Sequence, residues 1–533
     1  MNFLLALLLM LAVPWSGSDA SPAANHDNFL HCLSTSPAAN VSKIVFYTPA
    51  NPSYPSVLQF SIHNLRFNTS AAPKPIVIVT PQTTSHIQAA ISCSHKHRLH
   101  LRVRGGGHDY EGLSYVASRP FFILDLINLS SVKVDVAART AWIQAGGTIG
   151  ELYYQIGTQT TTLAFPAGVC PTVGVGGHFS GGGYGLSLRK FGLAADHIVD
   201  AHLVDVKGKV HNRASMGEDL FWAIRGGGGN TFGVVTAWKV NLLPVPENVT
   251  VFTVTKTIQQ NATGIINRWQ QVADRFPDDL FIRVILDRTE TTTNSTATGR
   301  ASFNSLYLGQ AQSLLPLLQR DFPELGVERE DLIELTWIRS ILYFAGYPTD
   351  SPLEVLRSQV PLTRKRNFKA KSDYVTEPMS ERALEGIWRR ILRPDIEDPE
   401  LIFSPYGGRM SEIPESSIPF PHRAGTRYKI QHLVYWEREG REATDRHVDW
   451  IRELYGYLAP HVSKNPRLAY VNYRDLDVGS NNGAGFTSHE EARVWGVKYF
   501  KGNYERLVRV KTAVDPRNFF RNEQSVPPLT AWK

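Results

Sequence analysis

The sequence predicts an α+β protein of two unequal domains, and three observations predict it. At 533 residues the chain is longer than one hydrophobic core usually serves. Between residues 75 and 240, β-branched runs alternate with helically spaced apolar residues and glycine-dense loops. Beyond residue 249 those loops stop, while strands and amphipathic helices continue. With 42% hydrophobic and 20% charged residues, the composition is that of a globular protein.

Residues 1–20 read as a secretory signal peptide. An apolar run from Leu4 to Val13 is followed by Pro14 and small residues up to Ala20, and it is too short to span a membrane. The first domain is expected over 21–248. It opens with a short helix over 27–33, tied down through Cys32, and continues with a proline-bounded strand over 75–81. A helix over 84–96 follows, with Ile87, Ala90 and Ile91 at helical spacing and a basic end. Strands are expected over 99–104, 121–125 and 140–146, then a helix over 148–157, then strands over 198–205 and 234–240, closed by Pro244 and Pro246.

The second domain is expected over 249–465. Its strands at 251–254 and 280–286 alternate with amphipathic helices at 311–322 and 378–391, and its expected task is to cover a cofactor and shape a substrate pocket. The tail, 466–533, is expected to pack back on the first domain through aromatic text at 470–477 and a basic helix running through Val510.

The secretory reading organises the smaller features. Asn-x-Ser/Thr triplets at Asn40, Asn68, Asn128, Asn248, Asn261 and Asn294 are candidate glycosylation sites. Of the 3 cysteines, Cys32 and Cys93 can pair in an oxidising lumen, which leaves Cys170 as the odd thiol. The net charge of +7 does not point to nucleic acid, because the charge forms no basic tract and a secreted chain rarely meets that partner. Weak adhesion to acidic wall polysaccharide, with an apoplastic or endomembrane location and a monomeric state, is the expectation.

The chemistry is concentrated in glycine runs. Gly168-Val169-Cys170-Pro171-Thr172-Val173-Gly174-Val175-Gly176-Gly177-His178 continues through Gly181-Gly182-Gly183-Tyr184-Gly185. A second run, Arg104-Gly105-Gly106-Gly107-His108-Asp109-Tyr110-Glu111-Gly112, lies upstream, and a third spans Arg225 to Gly233. A single Gly-Gly pair is turn punctuation; three long runs mixed with Cys, His and Tyr let the backbone approach one extended, flat, polar-edged ligand. None of them completes Gly-x-Gly-x-x-Gly, no Gly-Lys-Ser/Thr phosphate loop occurs, and Ser180 and Ser187 lack the hydrolase elbow. Spacing favours packing roles over metal ligation for His178, His197 and His202. A flat organic cofactor remains.

On these runs, and on the terminal segment from Asp515 to Pro528, the chain resembles the plant berberine bridge enzyme-like flavoproteins, which include the cannabinoid synthases, within the vanillyl-alcohol oxidase superfamily. The resemblance covers nearly the whole mature chain. It implies a vanillyl-alcohol oxidase-type FAD-binding domain plus an α/β substrate-binding domain with an antiparallel sheet. His108 matches the histidine joined to the flavin 8α carbon and Cys170 the cysteine joined to C6, so bicovalent FAD is implied. The implied cofactor bed also takes in Arg104, Gly105, Gly106, Gly107, Asp109, Gly168, Val173, Gly174, Gly177, His178, Gly181, Gly182, Gly183, Val235, Asn472 and Tyr473. Gly105 departs from the family, which carries serine there. An accessible thiolate is the nucleophile an electron-poor ring carbon captures, which agrees with the role implied for Cys170.

The resemblance also implies a catalytic cluster of Tyr110, Tyr184, Lys429, Gln431 and Tyr473, since a base must take a proton as hydride leaves for the flavin. A nearby ammonium lowers a tyrosine pKa, by about 1 to 3 units at close range, so Lys429 is expected to favour a tyrosinate base. Stacking on the ring is the competing role for Tyr184 and Tyr473. The cannabinoid synthases carry Glu where Lys429 stands, which favours oxidation of a phenolic or allylic alcohol, or of a carbohydrate hydroxyl, over oxidative or non-redox cyclisation. In the family a small Val three residues after the flavin cysteine accompanies oxidases, so Val173 implies O2 as acceptor and H2O2 as product. A flavin-bearing defence protein with vestigial activity is the non-enzymatic alternative, and the intact cluster argues against it.

Overall fold

The computed structural model describes residues 22–38, 43–290, 297–483 and 486–529, with side chains from residue 26 onward. The signal segment 1–20 and the triplets at Asn40 and Asn294 lie outside the described residues. Asn128, Asn248 and Asn261 are exposed and Asn68 is half-buried.

The glycine-rich half carries two large sheets beside the two-stranded pairing of Leu163–Ala164 with Leu243–Pro244. The first has four strands in the order Val45–Tyr47, Val77–Thr80, Phe121–Asp125, His100–Arg104, with the last three mutually parallel. Its inner strands are apolar on both faces, as crossover-connected parallel strands must be. The helix Thr84–Lys96 makes the crossover; Thr83 caps it by accepting from the His86 amide, and His95 and Lys96 lie at its negative end. Cys93 on this helix is bonded to Cys32 on the helix Pro22–Ser34. The second sheet is antiparallel, in the order Val132–Asp135, Thr140–Gln144, Val234–Asn241, Ile198–Val204, Val210–His211.

All strands of the third sheet come from residues 249–436. It is antiparallel with seven strands, ordered Ile333–Leu335, Val249–Thr257, Ala297–Tyr307, Leu280–Glu290, Asp398–Pro405, Tyr428–Trp436, Asn367–Val375. Helices Ala262–Val272, Ala311–Asp321, Glu381–Ile391 and Arg441–Leu458 cover one face through Trp269, Leu314, Trp388 and Trp450. Strand Tyr428–Trp436 shows the division that a period of two imposes. Tyr428, Ile430, Val434 and Trp436 enter that helix-side core, while Lys429, Gln431, Leu433 and Tyr435 share the opposite face.

That opposite face meets the glycine runs, and the apolar packing is continuous across the junction: Val249, Val251 and Leu306 join the cluster that holds Ile149, Phe179 and Trp222. The tail segment closes the assembly. Its helix Asn503–Val514 carries Lys511, fully buried, whose ammonium donates to the Thr231 and Phe520 carbonyls and to Asp515 at 2.6 to 2.7 Å. Lys369 and Lys371, buried on strand Asn367–Val375, grip Asp475 at 2.7 and 2.6 Å, and Lys371 also reaches Asp477 at 2.8 Å. Among the described residues no helix is long and apolar enough to cross a membrane.

Candidate active site

A cavity of about 540 Å³ lies between the glycine runs and the open face of the seven-stranded sheet. That is the size range of small-molecule and cofactor pockets. Each run is pinned from behind. Ile149 and Gly150 donate their amides to the Val173 and Pro171 carbonyls at 2.9 and 3.0 Å, and Val175 donates to Gly147 at 2.9 Å. The Tyr153 hydroxyl donates to the Gly168 carbonyl at 2.8 Å. Gly106 and Gly174 bring the first two runs together backbone to backbone, so a Cβ on either would collide with the other's nitrogen.

The run residues His108, Cys170, Thr172, Val173, Gly174, Gly177 and His178 all line this cavity, as do Gly105, Gly106, Gly107, Asp109 and Gly168. His108 Nε2 is 3.0 Å from the Thr172 hydroxyl, and the Cys170 sulfur is 3.7 Å from the same oxygen. Cys170 is the free cysteine; its surface opens into the cavity, yet the surrounding walls desolvate it and push its pKa up. Burial holds His108 well below the usual histidine range, so its ring is neutral. His63 stacks on it with centroids 3.8 Å apart and bonds the Gly106 carbonyl through Nε2 at 2.8 Å. His178 is satisfied as well as cavity-lining: its Nε2 accepts from the Gly168 amide at 3.1 Å, and burial, then Lys429, lowers its pKa to about 3.

The phenols Tyr110, Tyr184 and Tyr473 line the same cavity. Gln431 Nε2 donates to the Tyr110 hydroxyl at 2.7 Å, and the Tyr110 ring stacks on Tyr473 at 5.3 Å. The hydroxyls of Tyr184 and Tyr473 are hydrogen-bonded to each other. Lys429 Nζ lies 3.2 Å from the Tyr184 ring centroid and 4.2 Å from that of Tyr473. It is completely buried and has no hydrogen-bond partner among the described residues. Burial drives Lys429 well below the usual ammonium range and pushes all three phenols up. The expected cluster is therefore assembled, but with the Lys429 amine over ring faces instead of against a phenol oxygen, and burial opposes the expected tyrosinate by raising the phenols. Lysine and tyrosine pair share protons as a unit, since a neutral amine with two phenols carries the same charge as an ammonium with one tyrosinate. Asn472 closes the set by donating to the His178 carbonyl at 2.9 Å and the Tyr470 hydroxyl at 3.0 Å.

Five of the expected bed residues do not line the cavity. Arg104 is turned away and fully buried; its guanidinium bonds Asp125 and the Leu58 and Val57 carbonyls. Gly181, Gly182 and Gly183 form the turn behind it, packed on Asn472, Phe420 and His178 respectively, with Gly182 and Gly183 at φ of 110° and 72°. Val235 belongs to the apolar core of the second sheet. Other lining residues escaped the sequence reading. His63 precedes Asn64, whose buried amide spans the first run and the sheet edge by donating to the Tyr110 and Phe368 carbonyls at 3.0 and 2.9 Å. Arg283, Ile402 and Ser404 reach the cavity from neighbouring strands, at positions that register alone makes adjacent.

A glycine-paved cavity lined by a neutral histidine, an open thiol and buried phenols fits a flat redox cofactor, and the chain matches the FAD binding domain family over residues 75–213. It is an FAD-binding oxidoreductase. It also matches the "Berberine and berberine like" family over residues 469–527. Berberine bridge enzyme-like 18 of Arabidopsis thaliana is 51% identical over 523 residues, spanning 98% of this chain and 96% of that protein. Monolignol oxidoreductase AtBBE-like 13 of the same plant is 51% identical over 478 residues, 89% of this chain and 88% of that protein. A solved structure of a Phl p 4 variant, described as a glucose oxidase, superposes with a TM-score of 0.88 at 45% identity, covering 95% of this chain and 100% of that one. The chain belongs to the berberine bridge enzyme-like family.

Proposed function

We propose that this protein is a secreted FAD-linked oxidase that takes a hydride from an alcohol carbon, with a phenolic or allylic alcohol as the leading substrate class and a carbohydrate hydroxyl as the alternative within it. His108 and Cys170 would hold the cofactor covalently, one at each end of the Thr172 hydroxyl. Bound there, FAD supplies a two-electron acceptor. The observation that carries the reading is the Tyr184–Tyr473–Lys429 cluster, whose two phenols line the same cavity as Cys170. When the Lys429 amine holds one of the pair's protons, the pair contains a tyrosinate that can take a hydroxyl proton, and the Lys429 ammonium and the Arg283 guanidinium stabilise that tyrosinate. Gln431 orients Tyr110, which braces Tyr473 by stacking.

The similarity to a monolignol oxidoreductase and to a protein described as a glucose oxidase supports both substrate classes. Val173, half-buried at the cavity wall, supports O2 as the acceptor and H2O2 as product. The secretory reading is supported by the Cys32–Cys93 bond and by the exposed glycosylation triplets. Anaerobic stopped-flow mixing with monolignols, oligosaccharides and prenylated phenols tests the function. Flavin bleaching by an alcohol is expected; bleaching by prenylated phenols alone would replace the reading with oxidative cyclisation.

A further inference from the structure

Thr172 stands between the two side chains proposed to hold the cofactor, and the sequence puts it there. Cys170-Pro171-Thr172-Val173 closes a turn, with the Val173 amide donating to the Cys170 carbonyl at 3.2 Å. Proline at the second position has its φ preset for such a turn, which folds the Thr172 hydroxyl back to 3.7 Å from the Cys170 sulfur. The turn is held in place, because the Pro171 and Val173 carbonyls on either side of Thr172 accept from the Gly150 and Ile149 amides. His108 arrives from the other glycine run. The close approach of Gly106 to Gly174 brings its Nε2 to 3.0 Å from the same hydroxyl, and the His63 ring stacked at 3.8 Å fixes the imidazole plane. Thr172 is buried at the cavity wall.

A hydroxyl has one proton to donate and two lone pairs to accept with, which suits this place. The neutral His108 ring bears one proton. With that proton on Nε2, the Thr172 oxygen accepts it and keeps its own proton free for the sulfur. The Nδ1 lone pair, which makes no hydrogen bond among the described residues, is then left to form a bond. On the other side, burial pushes the Cys170 thiol up, and the groups that oppose burial are the Thr172 hydroxyl and the Thr172 amide. The Thr172 carbonyl lies by the imidazole in the same way. Both backbone contributions survive a substitution at this position, so the part played by the hydroxyl can be separated from them.

We propose that Thr172 is a positioning residue for cofactor attachment, its one hydroxyl preparing both His108 and Cys170 for bond formation, so that the two links depend on a single side chain. The inference rests on the covalent holding proposed above and names the residue that prepares it. Each link replaces one flavin C–H bond and one N–H or S–H bond with a C–N or C–S bond. The two protons and two electrons released pass to O2, giving H2O2. The test uses the full chain, sampled at successive times after expression is induced. The share of flavin that acid leaves on the protein, and the masses of the His108 and Cys170 peptides, are read for each sample. Thr172→Val is expected to retain bound FAD but to form each link about tenfold more slowly, the worth of one hydrogen bond to a reacting group. Thr172→Ser, which keeps the hydroxyl, is expected to restore both. If Thr172→Val does not fold, Thr172→Ala carries the same comparison. A variant with less FAD or a lower melting temperature, but with unchanged attachment per bound FAD, would make Thr172 a packing residue and overturn the proposal. Slowing confined to one link would overturn the shared role. Wild type without flavin on either peptide would overturn the covalent holding itself, and the role of Thr172 with it.

Discussion

Lys429 is the residue on which the proposed chemistry turns. It is a fully buried amine with no hydrogen-bond partner among the described residues, pressed against the rings of Tyr184 and Tyr473. Replacing it with methionine keeps the packing and removes the amine that can take up a phenol proton. The flavin reduction rate is expected to fall about 100-fold. Its rising pH limb should also move alkaline by roughly 1 to 3 units, since without the amine no ammonium can form beside the tyrosinate and the pKa of the base rises. A reductive half-reaction with unchanged rate and pH dependence would remove the lysine from the mechanism. Val173 makes a separate prediction. Val173→Leu should leave reduction by substrate intact and slow reoxidation in air-saturated buffer by about tenfold, ~1.4 kcal/mol in barrier, as read by stopped-flow absorbance.

At the level of elements, the glycine runs were legible because their composition has no other purpose in a structured chain, and the helix and strand periods of the first half were legible because each shows one unmixed period. Thr84–Lys96 and Phe121–Asp125 coincide with their predicted spans. What the sequence concealed is register. Arg283, Ser404 and Gln431 come from three strands, and only hydrogen-bonded pairing puts them on one wall. The glycines themselves divide by physical role: Gly105 to Gly107 and Gly174 pave the cavity, whereas Gly181 to Gly183 turn the chain behind it. Gly106→Ala checks the first role. Its methyl would meet the Gly174 backbone, which cannot yield cheaply, and overpacking costs about 1 to 3 kcal/mol. The purified variant is expected to carry less flavin and to melt lower than wild type; an unchanged melting temperature and flavin content would contradict the close approach.

For the whole molecule, the tail is held by charge as much as by apolar contact. Asp477 accepts from Lys371 and from Arg452, at 2.8 and 2.7 Å, and these partners hold its carboxyl far below the ordinary range despite its burial. A carboxylate depressed in the folded state adds stability above its unfolded pKa, about 3.9, and that contribution is lost as pH falls through the folded value. Melting temperature should therefore decline progressively below about pH 4. Asp477→Asn should melt lower than wild type at pH 7 and show a shallower acid decline. Parallel curves for the two proteins would show that Asp477 contributes nothing to acid sensitivity.

The spacing of His108 and Cys170 has a consequence for the unfolded chain. A cofactor bonded at both positions is a cross-link, closing a loop of roughly sixty residues, much as the Cys32–Cys93 bond closes one with a separation of 61. The two loops follow one another along the chain without overlapping. By loop-closure entropy each restricts the denatured ensemble by about 4 kcal/mol. The redox group would then double as a structural staple, and a protein loaded with it would resist unfolding to a degree independent of the concentration of free FAD.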